Sequence, residues 1–253
     1  MYSGANIETP GLWTDAGPGH LLLTPKERHL LAVISTAVRF EKRETIYREG
    51  DNANVVYSIA TGVVKSYREL SVDAYHVVGF LFPNDLFGLT ENGKYVNSAE
   101  AVTPVTAYRI PISALQTRLL EYPHLSFVII AKICHNLLEA QRHAFLLSRR
   151  HAAQKLSLFL HMLDAQQTFQ SGVGMAEVYL PMSRVDIAAY LGITAEAVSR
   201  SLHNLVRRRL VTVRDRRHVK IIDRQGLEAV ISENRPHRRS MSPSALGNRR
   251  KRA

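Results

Sequence analysis

The stretch from Met182 to Val213, MSRVDIAAYLGITAEAVSRSLHNLVRRRLVTV, leaves little freedom in how it can fold. Ser183 can N-cap a first helix, with Asp186 three residues on as a shorter form of the capping box. Ile187, Ala188 and Leu191 give that helix one apolar face. Gly192 supplies a sharp turn, Ile193 plugs between the helices, and Thr194 caps a second helix. On that helix Ala197, Val198, Leu202 and Leu205 point inward, which leaves Glu196, Ser199, Arg200 and His203 pointing outward. Two capped helices across one tight turn are a helix-turn-helix pattern. An ordinary helical hairpin of an enzyme or scaffold accounts for the apolar faces, but not for capping, turn, polar face and the following hairpin together.

That polar face has a specific chemical meaning. Arginine pairs with guanine O6 and N7, and glutamate accepts from cytosine N4, so Glu196, Ser199 and Arg200 at the start of a capped helix suit the DNA major groove. The next segment, LVTVRDRRHVKIID, reads as a two-stranded wing whose basic tip, Arg214, Arg216, Arg217 and His218, is placed to touch phosphates. Ser183, Thr194, His203, Arg214, Arg216 and Arg217 are the candidate phosphate contacts, adding affinity without sequence information.

The net charge of +11 supports a nucleic-acid partner only where it is concentrated. Residues 1–175 hold 16 Lys/Arg against 15 Asp/Glu, residues 176–234 hold 10 against 7, and residues 235–253 hold 7 against none. Arg200, Arg207, Arg208, Arg209, Arg214, Arg216, Arg217 and Lys220 are opposed in their own run by Asp215 alone. A run of this kind is also what a solvated charged face looks like, so it gains weight only beside the helix pair. The tail from 235 to 253 is basic, poor in apolar residues and proline-bearing, and is expected to be disordered. No run of about 18 apolar residues and no leader-like N-terminus is present, so neither membrane insertion nor secretion is expected, and the protein is placed in the cytoplasm. Cys134 is the single cysteine, which excludes an intrachain disulfide and any four-cysteine zinc or iron-sulfur site. No P-loop, nucleophile elbow or HExxH motif occurs, so no enzyme activity is expected.

The rest of the chain divides by its hydrophobic period. Residues 1–21 read as a loose arm, and residues 22–122 as a β-rich domain, opening on a short helix capped at Thr24. Between about Thr45 and Ile110, short β-type runs alternate with turn residues at 8 to 12 residue spacing, with hairpins expected around Gly50-Asp51 and Gly62. From Pro123 the period changes: Ile130, Ile133, Leu137, Ala140, Ala144 and Leu147 recur at alternating steps of three and four, a heptad seam on a helix spanning 123–151. A second copy of the same helix is the simplest cover for such a stripe, and packing on the β domain is the alternative. Residues 152–234 form the last domain, in which TFQSGVGMAEVY looks like a linker. His135, Glu139 and His143 share one helix face at metal-ligand spacing, but lie off the seam and read as a solvated or domain-facing row, with no metal expected. Cys134 reads as a buried small hydrophobe, with redox sensing as the alternative.

LLSRRHAAQKLSLFL and DIAAYLGITAEAVSRSL, within a likeness covering roughly residues 22–233, resemble the Crp/Fnr family of bacterial regulators, most of all its Fnr and FixK branches. The resemblance implies an α+β chain: a cyclic-nucleotide-binding-like β-roll, a long dimerisation helix and a C-terminal winged helix-turn-helix. It implies a homodimeric activator that contacts RNA polymerase and recognises a TTGA(T/C)-type palindrome, with Arg200 reading guanine, Glu196 the opposite strand and Ser199 the outer bases. Cyclic-nucleotide binders of the family hold ribose and phosphate with Gly-Glu and Arg-Ser/Thr pairs. In FGLTENGKYVNSAEA, Leu89 stands at the Glu place and Asn97 at the Arg place, so cAMP is not expected to bind. An oxygen-sensing iron-sulfur cluster, as in Fnr, is not expected with one cysteine. Haem stays open, since none of the 11 histidines, His76 included, is picked out as a ligand, and a ligand- or haem-gated sensor of the same fold is the alternative reading.

Overall fold

The computed structural model describes residues 25–72, 74–171 and 177–233. The expected arm at 1–21, the Thr24 cap and the basic tail at 235–253 lie outside the described residues. Helix α1 (Pro25–Val33) leads into β1 (Thr36–Phe40), β2 (Thr45–Tyr47), β3 (Val55–Thr61), β4 (Val64–Ser71), β5 (Ala74–Leu81), β6 (Leu86–Phe87), β7 (Ser98–Ala101) and β8 (Val105–Pro111). These strands form two antiparallel four-stranded sheets, ordered β1-β8-β3-β6 and β2-β7-β4-β5. Their inner faces meet at Val55, Tyr57, Ile59, Val64, Phe87, Ala99, Ala101, Val105 and Ala107. Strand β1 precedes the region expected to be β: TAVRF is too short and too exposed for its alternation to stand out.

Two expected hairpins are corrected. β2 and β3 lie in different sheets, as do β3 and β4, so Gly50-Asp51 and Gly62 are places where the chain crosses from one sheet to the other. Turn residues between apolar runs are common to hairpins and to sheet-switching corners, and only the pairing partners separate the two. The hairpin is instead β4–β5, paired from Val64↔Leu81 to Ser71↔Ala74. At Gly62 the backbone has φ +91°, and a Cβ there would collide with the carbonyl oxygen of Pro104.

Helix α2 (Ile112–Glu121) ends at Tyr122, which is also the residue before α3 (Pro123–Leu147), with proline in the first turn. One face of α3 is buried on the roll: Leu125 and Ile129 pack with Leu31, Val56, Leu86, Ile110 and Leu115. The other face is open. Ile130, Ile133 and Leu137 are 57%, 48% and 59% exposed, Ala140 and Ala144 are exposed, and Leu147 is half-buried. The seam therefore does not pack against the roll. Cys134, expected to be buried, is exposed on this helix because it lies beside the uncovered stripe.

After a four-residue corner come α4 (Ala152–Ser171), β9 (Val178–Tyr179), α5 (Arg184–Leu191), α6 (Ala195–Arg207), β10 (Val211–Val213), β11 (His218–Ile221) and α7 (Arg224–Ser232). Both ends of the expected linker are structured: residues 168–171 continue α4 and Val178–Tyr179 form β9, while 172–176 lie outside the described residues. Gln167 of α4 pins β9 by bonding both the N–H and the carbonyl of Tyr179.

The last domain is packed on the roll through one continuous apolar cluster, running from Val63, Tyr67, Val77 and Phe82 to Leu156, Ile187, Leu191 and Leu205. Phe80 of β5 lies 5.2 Å from the Tyr190 ring and 6.3 Å from that of Phe159. His143 of α3 stacks on Tyr190 at 3.9 Å, and its Nε2 lies 2.7 Å from the Tyr190 carbonyl oxygen. The histidine row is thus domain-facing at His143, where burial pushes the imidazole below its ordinary pKa, and no group of three or more metal-ligating side chains forms among the described residues. Beside this cluster Lys65 of β4 reaches Asp186 of α5 at 2.8 Å and Glu100 of β7 at 3.0 Å, with Lys65 and Asp186 side chains 8% and 12% exposed. Tyr75 donates its hydroxyl to the same Asp186 oxygen at 2.9 Å.

Two outcomes follow from this packing. Gly62→Ala is expected to lower stability by about 2 kcal/mol or more, read as a lower urea midpoint, because the strained φ and the Pro104 clash add. Lys65→Met should lower the unfolding free energy at neutral pH by roughly 3 kcal/mol, at the low end for breaking a buried pair because undocking can re-solvate Asp186. Although burial opposes ionisation, Lys65, Ser183 and Tyr75 together hold the Asp186 pKa below its ordinary value, so its contribution is complete above that value and is lost as pH falls through the lower folded one. Burial likewise opposes the Lys65 charge, but Asp186 and Glu100 outweigh it and raise its pKa, so that contribution is lost only in alkali. Urea unfolding across a pH series should show a constant gap to wild type through neutrality that narrows below about pH 4. A gap unchanged in strong acid would show that the pair contributes nothing.

Candidate nucleic-acid interface

Helix α5 begins with a complete capping box. The Ser183 hydroxyl accepts from the Asp186 N–H at 3.0 Å, while Asp186 Oδ2 accepts from the Ser183 N–H at 3.1 Å. Gly192 closes the helix in the left-handed conformation at φ 61°, ψ 44°, and both Gly192 and Ile193 N–H groups donate to Ala188 O. Lys155 of α4, inside the AAQKLSLFL stretch, donates to the Leu191 carbonyl at 2.9 Å and so satisfies another C-terminal acceptor. Thr194 then caps α6, its hydroxyl accepting from Ala197 N–H at 3.2 Å.

On α6 the inward residues Val198, Leu202 and Leu205 are buried, joined by Ser201, and Ala197 is half-buried. Glu196, Ser199, Arg200 and His203 are all exposed and share the outer face. The Ser199 hydroxyl donates to Ala195 O at 3.0 Å, as mid-helix serines do when no external partner is engaged. The Glu196 carboxyl lies below its usual range, held by its own backbone N–H and then by the Thr194 hydroxyl, so it is an acceptor at neutral pH.

The wing has three strands, not the expected two: β9 joins β11 and extends the β10–β11 hairpin. Asp215 organises its tip. It accepts from the N–H groups of Arg217 at 2.7 Å and His218 at 3.0 Å, and lies 2.8 Å from His218 Nδ1, which together hold its pKa at about 2, the Arg217 N–H bond foremost. Arg214 pairs with Glu177 at 2.9 Å, and Arg217 donates to the Tyr179 hydroxyl at 3.2 Å. Arg216 is exposed with no carboxylate partner among the described residues. Its carbonyl accepts from Arg184, at the start of α5, at 3.4 Å. Arg184 was not among the sequence-derived candidates, because nothing in the local pattern shows that the wing folds back over the first turn of α5.

A cavity of about 380 Å³ lies between the roll, α3 and the last domain, lined among others by Tyr47, Leu89, Tyr95, Asn97, Ile133 and Tyr190. Tyr47 and Tyr95 stack at 3.7 Å, and no lysine or arginine among the described residues lines the cavity. Leu89 and Asn97, which the resemblance sets at the Glu and Arg places of FGLTENGKYVNSAEA, both line this cavity. No helix among the described residues is long and apolar enough to cross a membrane.

Residues 37–122 match the cyclic nucleotide-binding domain family, and residues 154–230 match the Crp-like helix-turn-helix domain family. Among curated proteins, the chain is 33% identical to the nitrogen fixation regulation protein FixK of Rhizobium meliloti (strain 1021), over 73% of this chain and 82% of that protein. It is 31% identical to the regulatory protein HlyX of Actinobacillus pleuropneumoniae, over 68% of this chain and 72% of that protein. The structure of FixK2 from Bradyrhizobium japonicum superimposes with a TM-score of 0.71 at 30% identity, covering 78% of this chain and 97% of that one. With an exposed polar face on a capped second helix, a basic wing and these relatives, the chain belongs to the Crp/Fnr family of DNA-binding transcription regulators, built from a cyclic-nucleotide-binding-like roll and a Crp-like helix-turn-helix, on the FixK/Fnr side of that family.

Proposed function

We propose that the chain is a cytoplasmic homodimeric activator, paired along α3, that sets two α6 helices on an inverted repeat of the TTGA(T/C) type. The observation that carries this is the undivided exposed face of Glu196, Ser199 and Arg200 at the capped start of α6. Arg200 pairs with guanine O6 and N7, Glu196 accepts from a cytosine amine on the opposite strand, and Ser199, releasing its bond to Ala195, helps to separate the outer bases. Ser183, Thr194, His203, Arg214, Arg216 and Arg217 face the backbone, with Arg216 the freest of the wing arginines because Arg214 and Arg217 hold internal partners. Pairing along the seam covers the apolar stripe Ile130, Ile133, Leu137, Ala140, Ala144 and Leu147, and two symmetric readers match a palindrome. Surface loops of the roll and last domain would contact RNA polymerase.

The cavity supports a second reading, a regulator gated by a small molecule. Its chemistry does not favour a cyclic nucleotide: Leu89 offers no acceptor for a ribose hydroxyl, and no lysine or arginine among the described lining residues meets a phosphate. Walls of Tyr47, Phe87, Tyr95 and Tyr190, with Asp85, His135, Glu139 and His143 also on the lining, fit a partly aromatic ligand better, and a haem would reveal itself by its absorbance in the purified protein.

Ligand-free protein titrated against a TTGAT-N4-ATCAA duplex and a scrambled control should prefer the palindrome by at least about a hundredfold at physiological salt. In the same titration Arg200→Ala should lose about 1–3 kcal/mol of discrimination at the half-site guanine, whereas Arg216→Ala should weaken both duplexes alike. Equal losses on both duplexes for both variants would remove the base-reading role. Leu137→Asp should convert a dimer to monomers in sedimentation and reduce palindrome binding with it. A variant that stays dimeric would place the interface elsewhere.

A further inference from the structure

Beside the apolar cluster, the roll meets the last domain at one carboxylate whose two oxygens serve two different elements. Asp186 Oδ2 accepts from the Ser183 backbone N–H and hydroxyl, completing the cap of α5. Its Oδ1 accepts from Lys65 Nζ at 2.8 Å and from the Tyr75 hydroxyl at 2.9 Å, both from the β4–β5 hairpin of the roll. Lys65 is itself anchored by Glu100 at 3.0 Å and lies 4.7 Å over the Tyr75 ring. The contact grips α5 and leaves the outer face of α6, the wing tip and the α3 stripe from Ile130 to Ala144 exposed at the same time.

We propose that Lys65, with Tyr75, is a positioning residue for DNA recognition: from the roll it fixes where the helix-turn-helix sits relative to α3, and so fixes the separation of the two recognition helices in the dimer. The reasoning is geometric. Base-reading needs an intact α6, which Lys65 does not touch, but engaging two half-sites at once needs both readers at one set distance, and a domain free to swing meets that condition only part of the time. Without Lys65, the buried Asp186 charge loses its counter-ion and is re-solvated most easily by lifting α5 off the hairpin, while Ser183 still completes the cap. This rests on the paired-reader function proposed above.

The test compares wild type and Lys65→Met on three duplexes: the TTGAT-N4-ATCAA palindrome, a single half-site, and a palindrome with its spacer lengthened by two bases. Lys65→Met is expected to lose at least about tenfold on the palindrome, to stay within about twofold on the half-site, and to narrow the preference for the original spacer. Tyr75→Phe, which keeps the ion pair, should move the same way by a smaller factor, and remains informative if Lys65→Met folds poorly. Unchanged or tighter palindrome binding would overturn the proposal, as would equal losses on palindrome and half-site, which mark a role in folding the reader. A wild type that binds palindrome and half-site alike overturns the paired-reader function first, and this proposal with it.

Discussion

The buried contact between Lys65 and Asp186 is the constraint on which the arrangement of this molecule turns. Taking a carboxylate and an amine out of water is costly, and their attraction offsets the cost only if the remaining hydrogen-bonding capacity is satisfied. Here it is: Ser183 and Tyr75 complete Asp186, and Glu100 shares Lys65. A pair of this kind adds little net stability over an apolar contact of the same shape, but it tolerates few alternative placements. The apolar cluster around Phe80, Phe159 and Tyr190 supplies the adhesion between roll and reader, and the ion pair supplies the register.

Helix α3 carries three functions on three faces. Leu125 and Ile129 bind it to the roll, His143 reaches both the roll and α5, and the stripe from Ile130 to Ala144 faces outward. The cavity borders the same helix at Ile133, Asn136 and Ala140, and the last domain at Phe159, Met162 and Tyr190. Helix α3 therefore borders the roll, the cavity and the last domain at once.

Charge on the reading surface is organised as well as abundant. Asp215 is the one acid in the run from Arg200 to Lys220, and its carboxylate shapes the wing tip by accepting from two successive backbone N–H groups. Glu177 and Tyr179 draw Arg214 and Arg217 toward β9, so the three tip arginines differ in freedom although they are nearly adjacent in sequence.

The helix-turn-helix was legible in the sequence because each of its determinants is local. Ser183, Gly192 and Thr194 act within four residues of themselves, and Glu196, Ser199 and Arg200 share a face by the helical period alone. The exposed apolar stripe of α3 was legible from its period of three and four, whereas the departures at Leu89 and Asn97 were legible only through the family resemblance. The sheet-switching corners at Gly50 and Gly62 were read as hairpins, since the partners of β2 in β7, of β3 in β8 and of β4 in β7 all lie more than 30 residues away. Cys134 was placed inside because its helix face is apolar, whereas exposure depends on what covers that face. Lys65, Tyr75 and His143 carry no local signature of their partners: Lys65 meets Asp186 across 121 positions and His143 meets Tyr190 across 47. The sequence determined the helix pair, the polar face of its second helix and the apolar stripe of α3, because short-range capping and periodicity encode them. Which sheet each strand joins and how the reader docks on the roll were decided only by the tertiary structure, because long-range burial alone brings those residues together.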